Sequence, residues 1–171
     1  ENKVKIYDQR YYELKESKRN ATIRIYGERK NVNKLCVMSG RLAKNDDEIA
    51  LDRVFAKNNN YKVGDNVTID KNTYKITGFI AMPDYSCVFE DNADMMFDSV
   101  NFGVASMTDS GLSKLKKSKL SYCYAVKYDK EPESDKKQKD MSDDFLENLS
   151  KQAVVTSYLP RYSNKAINFT G

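Results

Sequence analysis

The chain has 171 residues, of which 40% are hydrophobic and 32% charged, and its net charge is +4. This length suits a single domain with a real hydrophobic core. Within these residues no apolar run reaches the roughly 18 that cross a bilayer. The basic residues form no stripe of the nucleic-acid-binding kind, which argues against such binding. The absence of histidine excludes the Ser/His/Asp and Cys/His pairs on which most hydrolases depend.

The N-terminal end is predicted to form two strands separated by a helix. Residues 3–7, KVKIY, indicate a short strand. Residues 8–18 predict a helix, because Asp8 can cap its first turn and apolar residues follow at Tyr11, Tyr12 and Leu14. Residues 21–28, ATIRIYGE, alternate isoleucine with other residue types, which is typical of a strand with one buried face.

The central part of the chain predicts buried strands, one short helix and a hairpin. The apolar runs at 34–41 and 48–51 indicate two buried strands. Asp52 is well placed to cap the helix that follows, because its carboxylate can accept the free N–H groups of the first turn. Residues 66–81 carry alternate apolar positions on both sides of a polar turn at 70–72, which predicts a β-hairpin.

The next segment begins with irregular structure. Residues 82–98 are interrupted by a proline and show no clean periodicity, so we predict a long loop with a helical turn. A strand is predicted at 102–107, a short capped helix at 108–117 and an alternating strand at 121–128.

The C-terminal part is predicted to contain a loop, a helix and a strand. Residues 129–140 are highly charged and contain a proline, so an exposed loop is expected. Residues 141–151 place apolar side chains at helical spacing, and the apolar run at 153–159 indicates a strand. Together, the elements predict an α+β fold with mixed β-sheets and short packed helices.

Five carboxylates lie close together in the sequence and raise the possibility of a metal or acid/base site. They are Asp46, Asp47, Glu48, Asp52 and Asp65. Calcium loops alternate their ligands, whereas here three acids are adjacent and an apolar strand separates them from the others. We therefore favour structural roles: a solvated turn, a helix cap and a tight bend at Gly64 and Asp65. A carboxylate metalloenzyme is the less favoured reading.

The tyrosines and cysteines raise two further possibilities, a binding platform and a disulfide bond. The segments RYY at 10–12 and YCY at 122–124 could form a flat platform for a carbohydrate or a peptide, although ordinary core packing is the favoured interpretation. The cysteines contain no CxxC pair, so no disulfide framework is predicted, although one bridge is arithmetically possible. They are Cys36, Cys87 and Cys123.

An ordered set of features between residues 34 and 85 identifies a family resemblance. The features are a Gly-Arg turn, the EIAL strand, a short helix, a Gly-Asp turn and a hairpin ending in KITGFI. In this order they resemble the extracytoplasmic core domain of FtsX-like ABC transporter permeases, also called the MacB-like periplasmic core domain. One departure is Ala43, where the family often has proline. The motif residues are Gly40, Arg41, Glu48, Ile49, Ala50, Leu51, Gly64, Asp65 and Gly78.

The resemblance implies an architecture and a location. It implies a porter-like βαβ lobe formed by about 1–33 and 106–171, with a second α+β lobe inserted at about 34–105. The segments DMMFDSVNFGVASMT and YLPRYSNKAINFTG look similar to versions from Gram-positive bacteria, in which transmembrane helices flank the domain. The domain is therefore expected on the extracellular face of the cell membrane, as part of an integral membrane protein.

The resemblance also implies a function without catalysis. We expect no catalytic residue, no cofactor and no metal in this domain, because a separate cytoplasmic subunit would hydrolyse ATP. The expected partners are the transmembrane helices of the permease, the ATP-binding subunit and an extracellular peptide, antibiotic, lipid or protein, but no nucleic acid. The alternative is a stand-alone cell-surface module that binds a glycan or a peptide.

Overall fold

The computed structural model describes residues 3–85 and 98–163, except for the side chain of Tyr162. It has mixed β-sheets with a few short helices, so the predicted α+β class is confirmed. The elements are β1 (Val4–Asp8), β2 (Tyr11–Lys15), β3 (Thr22–Tyr26), β4 (Cys36–Gly40), β5 (Glu48–Asp52), α1 (Arg53–Asn58), β6 (Asn66–Ile69), β7 (Asn72–Ala81), β8 (Phe102–Ser106), α2 (Asp109–Ser113), β9 (Leu120–Ser121), β10 (Tyr124–Tyr128) and α3 (Asp135–Ser150).

Eight strands form one mixed sheet in the order β4-β7-β5-β8-β3-β2-β9, with β6 beside β7. The pairs β3–β8 and β5–β7 are parallel, and the other pairs are antiparallel. β4 and β6 share one edge of β7, and β5 lies along its other edge. β1 and β10 form a separate two-stranded sheet. In addition, short 3-10 turns occur at Pro83–Tyr85, Lys117–Lys119 and Arg161–Ser163.

The centre of the sheet is buried on both faces. All five residues of β5 are buried, as predicted for the EIAL run. β7 and β8 cover the edges of this strand, and one apolar cluster packs on each face, with Ile49 and Leu51 in the larger cluster and Ala50 in the second. For β3, the prediction of one buried face is wrong. Ile23 and Ile25 pack into the larger apolar cluster, whereas Tyr26 belongs to a second cluster on the opposite face.

The helix predicted at 8–18 is wrong, because this segment contains β2. The side chains of Tyr12, Leu14 and Glu16 are buried at every second position, which is strand periodicity. β2 pairs with β3, so that Tyr12 lies opposite Ile25 and Leu14 opposite Ile23. Long-range pairing therefore determines this segment, and local capping signals do not.

The strand predicted at 34–41 exists as β4, but its predicted burial is wrong. All five residues of β4 are exposed. The exposed fractions of Val37 and Met38 are 43% and 51%. The reason is its position at the edge of the sheet, where β7 is the one strand of the described residues that pairs with it. The apolar run therefore predicted the strand correctly but predicted its burial incorrectly.

The C-terminal predictions are partly wrong. The charged stretch is not entirely a loop, because α3 begins at Asp135 after the N-cap residue Ser134, and the predicted helix is the later part of α3. Ion pairs four residues apart, such as Lys139 with Asp143, support a solvated helix. No strand forms at 153–159, where Val154 is 93% exposed.

The remaining predicted elements are largely confirmed. β1, β8, β10, α2 and the β6–β7 hairpin occur where the sequence indicated. Of the irregular segment at 82–98, the structure shows a single 3-10 turn, and residues 86–97, with Cys87, lie outside the described residues. Within 3–85 and 98–163, no helix is long and apolar enough to span a membrane.

The predicted boundary at 105 lies within β8, whereas the boundary at 34 lies in the segment between β3 and β4. β3, from the first predicted lobe, pairs along its whole length with β8, which belongs mainly to the second. The two sheets divide the chain differently, because β1 and β10 form the small sheet and the strands between them form the large one. The division into two lobes stays a prediction.

Asp52 caps α1 as predicted, and its replacement has a defined expected effect. Its Oδ1 accepts hydrogen bonds from the backbone N–H groups of Val54 at 2.8 Å and Phe55 at 2.9 Å. Asp52→Ala leaves both donors unpaired and should lower the free energy of unfolding by about 1 kcal/mol. Asp52→Asn keeps an acceptor and should lie closer to the wild type. Urea unfolding measures both variants, and equal losses would contradict the capping role.

Candidate functional site

Two glycines of the family motif allow two chain segments to meet. Gly40 has a φ of +68°, and a Cβ atom there would lie 2.3 Å from the carbonyl oxygen of Thr77. A Cβ atom at Gly78 would lie 2.3 Å from the carbonyl oxygen of Arg41. The backbone N–H of Arg41 donates to the Thr77 carbonyl at 2.9 Å. The contact between β4 and β7 is therefore too close for a side chain on either glycine.

Glu48 ties the loop after β4 to the start of β5. Arg41 donates to both carboxylate oxygens, with Nη1–Oε2 at 2.7 Å and Nη2–Oε1 at 2.6 Å. The backbone N–H groups of Lys44 and Asn45 also donate to Oε2. The Arg41 guanidinium, with these backbone donors, holds the pKa of Glu48 well below its usual range. Glu48 is therefore ionised, and both of its carboxylate oxygens accept hydrogen bonds from the protein.

The structure brings together only some of the motif residues. Gly40, Arg41, Glu48 and Gly78 form one group, which we call the Gly-Arg node. The EIAL residues Ile49, Ala50 and Leu51 lie in the core beside it. Gly64, with a φ of +101°, and Asp65, whose Oδ2 accepts from the Lys62 N–H at 2.8 Å, form the separate turn before β6.

The carboxylates of the acidic stretch do not converge on one point. Asp46 accepts hydrogen bonds from Thr108 at 2.8 Å and Ser110 at 3.0 Å and pairs with Lys114. Asp52 caps α1, and Asp65 closes its own turn. Among the described residues, no group of three or more potential metal ligands of the His, Cys, Asp or Glu type exists. The side chains instead fix local backbone at separate positions.

Sequence reasoning missed a cluster of aromatic rings around Arg24. The Arg24 guanidinium lies over the rings of Tyr11 at 4.6 Å and Phe102 at 5.1 Å. It also donates to Glu13 at 2.9 Å and to the Tyr85 hydroxyl at 2.7 Å. A charged residue within the otherwise apolar strand TIRIY was the available signal. Burial of this kind is possible because cation–π contacts and a carboxylate replace lost hydration.

Beside this cluster lies a cleft of about 360 Å³. It is bounded by the end of β1, the end of β3 and helix α2. One wall is Arg29, whose side chain is only 2% exposed and whose guanidinium lies 4.1 Å from the centre of the Tyr26 ring. The lining residues are Asp8, Gln9, Arg10, Tyr12, Tyr26, Gly27, Glu28, Arg29, Asp109, Leu112 and Ser113.

Hydrogen bonding around Arg29 is incomplete. Its Nη1 donates to Asp84 at 2.6 Å, but among the described residues its Nε and Nη2 have no partner. The Oε1 atom of Gln9, on the same cleft, is also buried without a partner there. No sequence signal marks this site, because its walls come from three distant parts of the chain.

The predicted tyrosine platform is divided between two environments. Tyr12 is buried in the core, and Tyr11 packs against Tyr26 with the rings tilted by 52° and their centroids 5.4 Å apart. Tyr122 and Tyr124 are 69% and 57% exposed. The two segments lie near each other, because Tyr11 pairs with Ser121. Only the second segment therefore presents open aromatic faces.

Comparison with known proteins gives a likeness to solved structures but no match by sequence. The chain matches no protein-family model and no curated protein sequence. It is similar to the solved structure of the periplasmic region of MacB from Actinobacillus actinomycetemcomitans, with a TM-score of 0.45 and 15% sequence identity. The match covers 89% of this chain and 77% of the MacB chain.

Proposed function

We propose that this chain is the non-catalytic extracellular domain of an FtsX-like ABC transporter permease from a Gram-positive bacterium. It handles or senses a substrate or an outside partner, and it moves as ATP drives changes in the transmembrane helices. Its partners are those helices, a cytoplasmic ATP-binding subunit, and an extracellular peptide, antibiotic, lipid or protein. The observation that carries the proposal is the Gly-Arg node.

The Gly-Arg node supports the resemblance because four of the motif residues take part in one structural arrangement. Gly40 and Gly78 lie 38 positions apart in the sequence, yet each removes a side chain from the same contact between β4 and β7. Arg41 and Glu48 then fix the intervening loop. The residues whose order in the sequence resembles the family are therefore also in contact in the structure. A chance similarity of composition does not explain this.

A non-catalytic role is supported by the way the titratable groups are used. Glu48 accepts hydrogen bonds from Arg41 and from backbone donors. Asp46 accepts from Thr108 and Ser110 and pairs with Lys114. Asp52 accepts from the backbone N–H groups in the first turn of α1. A general acid or base needs access to a reacting group. These carboxylates instead stabilise loops and a helix end, which fits a domain that transmits movement.

The exposed thiol of Cys36 tests the location of the domain. In the full-length protein, Cys87→Ser and Cys123→Ser leave Cys36 as the chain's own reporter. We expect a membrane-impermeant maleimide to label Cys36 on intact cells, and the added Cys36→Ser change to abolish labelling. Labelling that occurs only after cell lysis would contradict an extracellular location.

The same cysteine tests the coupled movement. With Cys87→Ser and Cys123→Ser, a fluorescent label on the exposed residue Cys36 reports its distance from acceptor-labelled lipids in the reconstituted transporter. We expect the energy transfer to change when the ATP-bound state is trapped. Unchanged transfer would overturn the proposal that the domain moves with ATP.

A stand-alone surface module that binds a glycan or a peptide is the second candidate. It is favoured by the exposed rings of Tyr122 and Tyr124, since tyrosine offers an apolar face with a polar tip. The coding sequence around this chain separates the two candidates. Hydrophobic helices on both sides support the permease, whereas a cell-wall anchor supports the surface module.

A further inference from the structure

The incomplete hydrogen bonding of the cleft beside Arg29 points to a ligand. Buried polar atoms without partners are rare in native proteins, because each retains a desolvation cost that nothing offsets. In the part of the chain that the structure describes, the buried side-chain atoms without a partner are Gln9 Oε1, Arg29 Nε and Arg29 Nη2. All three belong to residues that line this one cleft.

The chemistry of these atoms defines the complementary group. Arg29 offers two N–H donors from one planar fork, and Gln9 offers one carbonyl acceptor. A secondary amide matches this set, because its carbonyl oxygen has two lone pairs for the fork and its N–H can donate to Gln9 Oε1. A carboxylate or a phosphate could use the fork, but it has no hydrogen for Gln9 when ionised.

The charges around the cleft also disfavour an anion. Its lining holds the carboxylates Asp8, Glu28 and Asp109 against the cations Arg10 and Arg29. Both cations already have a carboxylate partner, because Arg10 pairs with Asp8 and Arg29 pairs with Asp84 outside the lining. An entering anion would therefore approach three carboxylates without gaining an uncommitted cation.

The size and the walls suit a small uncharged group. The volume of about 360 Å³ lies at the lower end of the range for small-molecule sites. Tyr12, Tyr26 and Leu112 supply apolar surface beside the polar atoms. Such a wall can accommodate the methyl or methylene group that adjoins an amide.

We propose that this cleft binds a secondary amide, held between the fork of Arg29 and the carbonyl oxygen of Gln9. Peptide main chains and acetamido sugars both carry this group. The site depends only on residues of this chain, so it stands independently of the assignment to a permease.

NMR spectra of the isotope-labelled 171-residue chain test the proposal. The probes are N-acetyl-L-alanine N-methylamide, N,N′-diacetylchitobiose and sodium acetate. We expect one of the two amides to shift the Arg29 Nε–H resonance with a dissociation constant on the order of 1 to 10 mM. The alanine derivative indicates a peptide as the source, and the chitobiose derivative indicates a sugar. No shift with either amide, or tighter binding of acetate, would overturn the proposal.

Two variants separate binding from structure. Gln9→Met removes the unpaired acceptor at nearly constant size and should weaken amide binding about tenfold while leaving Tm unchanged or higher. Arg29→Lys keeps the charge beside Asp84 but removes the planar fork, and it should also weaken binding. Arg53→Lys, at an exposed position away from the cleft, is the control. Wild-type affinity in Gln9→Met would overturn the role of Gln9 and the proposed geometry with it.

Discussion

Gly78→Ala is expected to destabilise the domain by about 3 kcal/mol and to lower Tm by about 6 to 12 °C. The added Cβ would lie 2.3 Å from the carbonyl oxygen of Arg41 and 2.8 Å from the backbone nitrogen of Arg41 and the carbonyl oxygen of Ser39. These are backbone atoms, so no side-chain rotation can relieve the contact. β4 must move away from β7, which also separates Arg41 from Thr77. Circular dichroism during thermal unfolding measures the change.

Gly64→Ala is the matched control for this prediction. Apart from its two chain neighbours, no described residue lies within 4 Å of a Cβ atom at Gly64, although its φ of +101° is unfavourable for alanine. Its cost is therefore conformational only, about 1 to 2 kcal/mol. If Gly64→Ala destabilised the domain as much as Gly78→Ala, steric exclusion at the Gly-Arg node would not be the cause.

Glu48→Gln is expected to lower Tm at neutral pH and to reduce the sensitivity of the domain to acid. Folding lowers the pKa of Glu48 from its ordinary value of 4.5, mainly because Arg41 and the Lys44 N–H donate to the ionised form. A carboxyl group with a lowered folded pKa stabilises the native state above its unfolded pKa, and this stability is lost as the pH falls towards the folded pKa. Glutamine retains the shape but not the charge.

Tm measured from neutral pH down to about pH 3 tests this linkage. The wild type should lose stability over the acid part of this range more steeply than Glu48→Gln. Glu28→Gln is the control, because Glu28 pairs with the exposed Lys30 in an open surface contact. Parallel curves for the wild type and Glu48→Gln would show that the ionised Glu48 does not stabilise the node.

Local sequence signals predicted the elements that a local contact or a local pattern identifies. Asp52 was correctly placed as a helix cap, because a carboxylate before a helix satisfies N–H groups only two and three residues away. The run EIAL was correctly predicted as a buried strand, because a short apolar segment between turns suits the centre of a sheet. In both cases the decisive contacts or the decisive pattern lie within a few residues.

For other elements, the secondary structure or the burial depends on neighbouring strands that are distant in the sequence. The segment around Tyr12 and Leu14 carried a helix cap at Asp8, yet pairing with β3 made it a strand. β4 looked buried, yet its place at the sheet edge exposed it. The sequence indicated the motif residues of the Gly-Arg node as an ordered set, but their contact and the cleft beside Arg29 arise only from tertiary structure.

The small sheet of β1 and β10 has a mechanical consequence. Val4 lies opposite Tyr128 and Asp8 opposite Tyr124, so the outer ends of both strands are at the same end of the ribbon. Tension applied at those ends would stretch the hydrogen bonds one after another, as in a zipper, and not all at once. If membrane helices pull on both sides of the chain, this ribbon opens before the eight-stranded sheet carries the tension, so the larger sheet is protected until then.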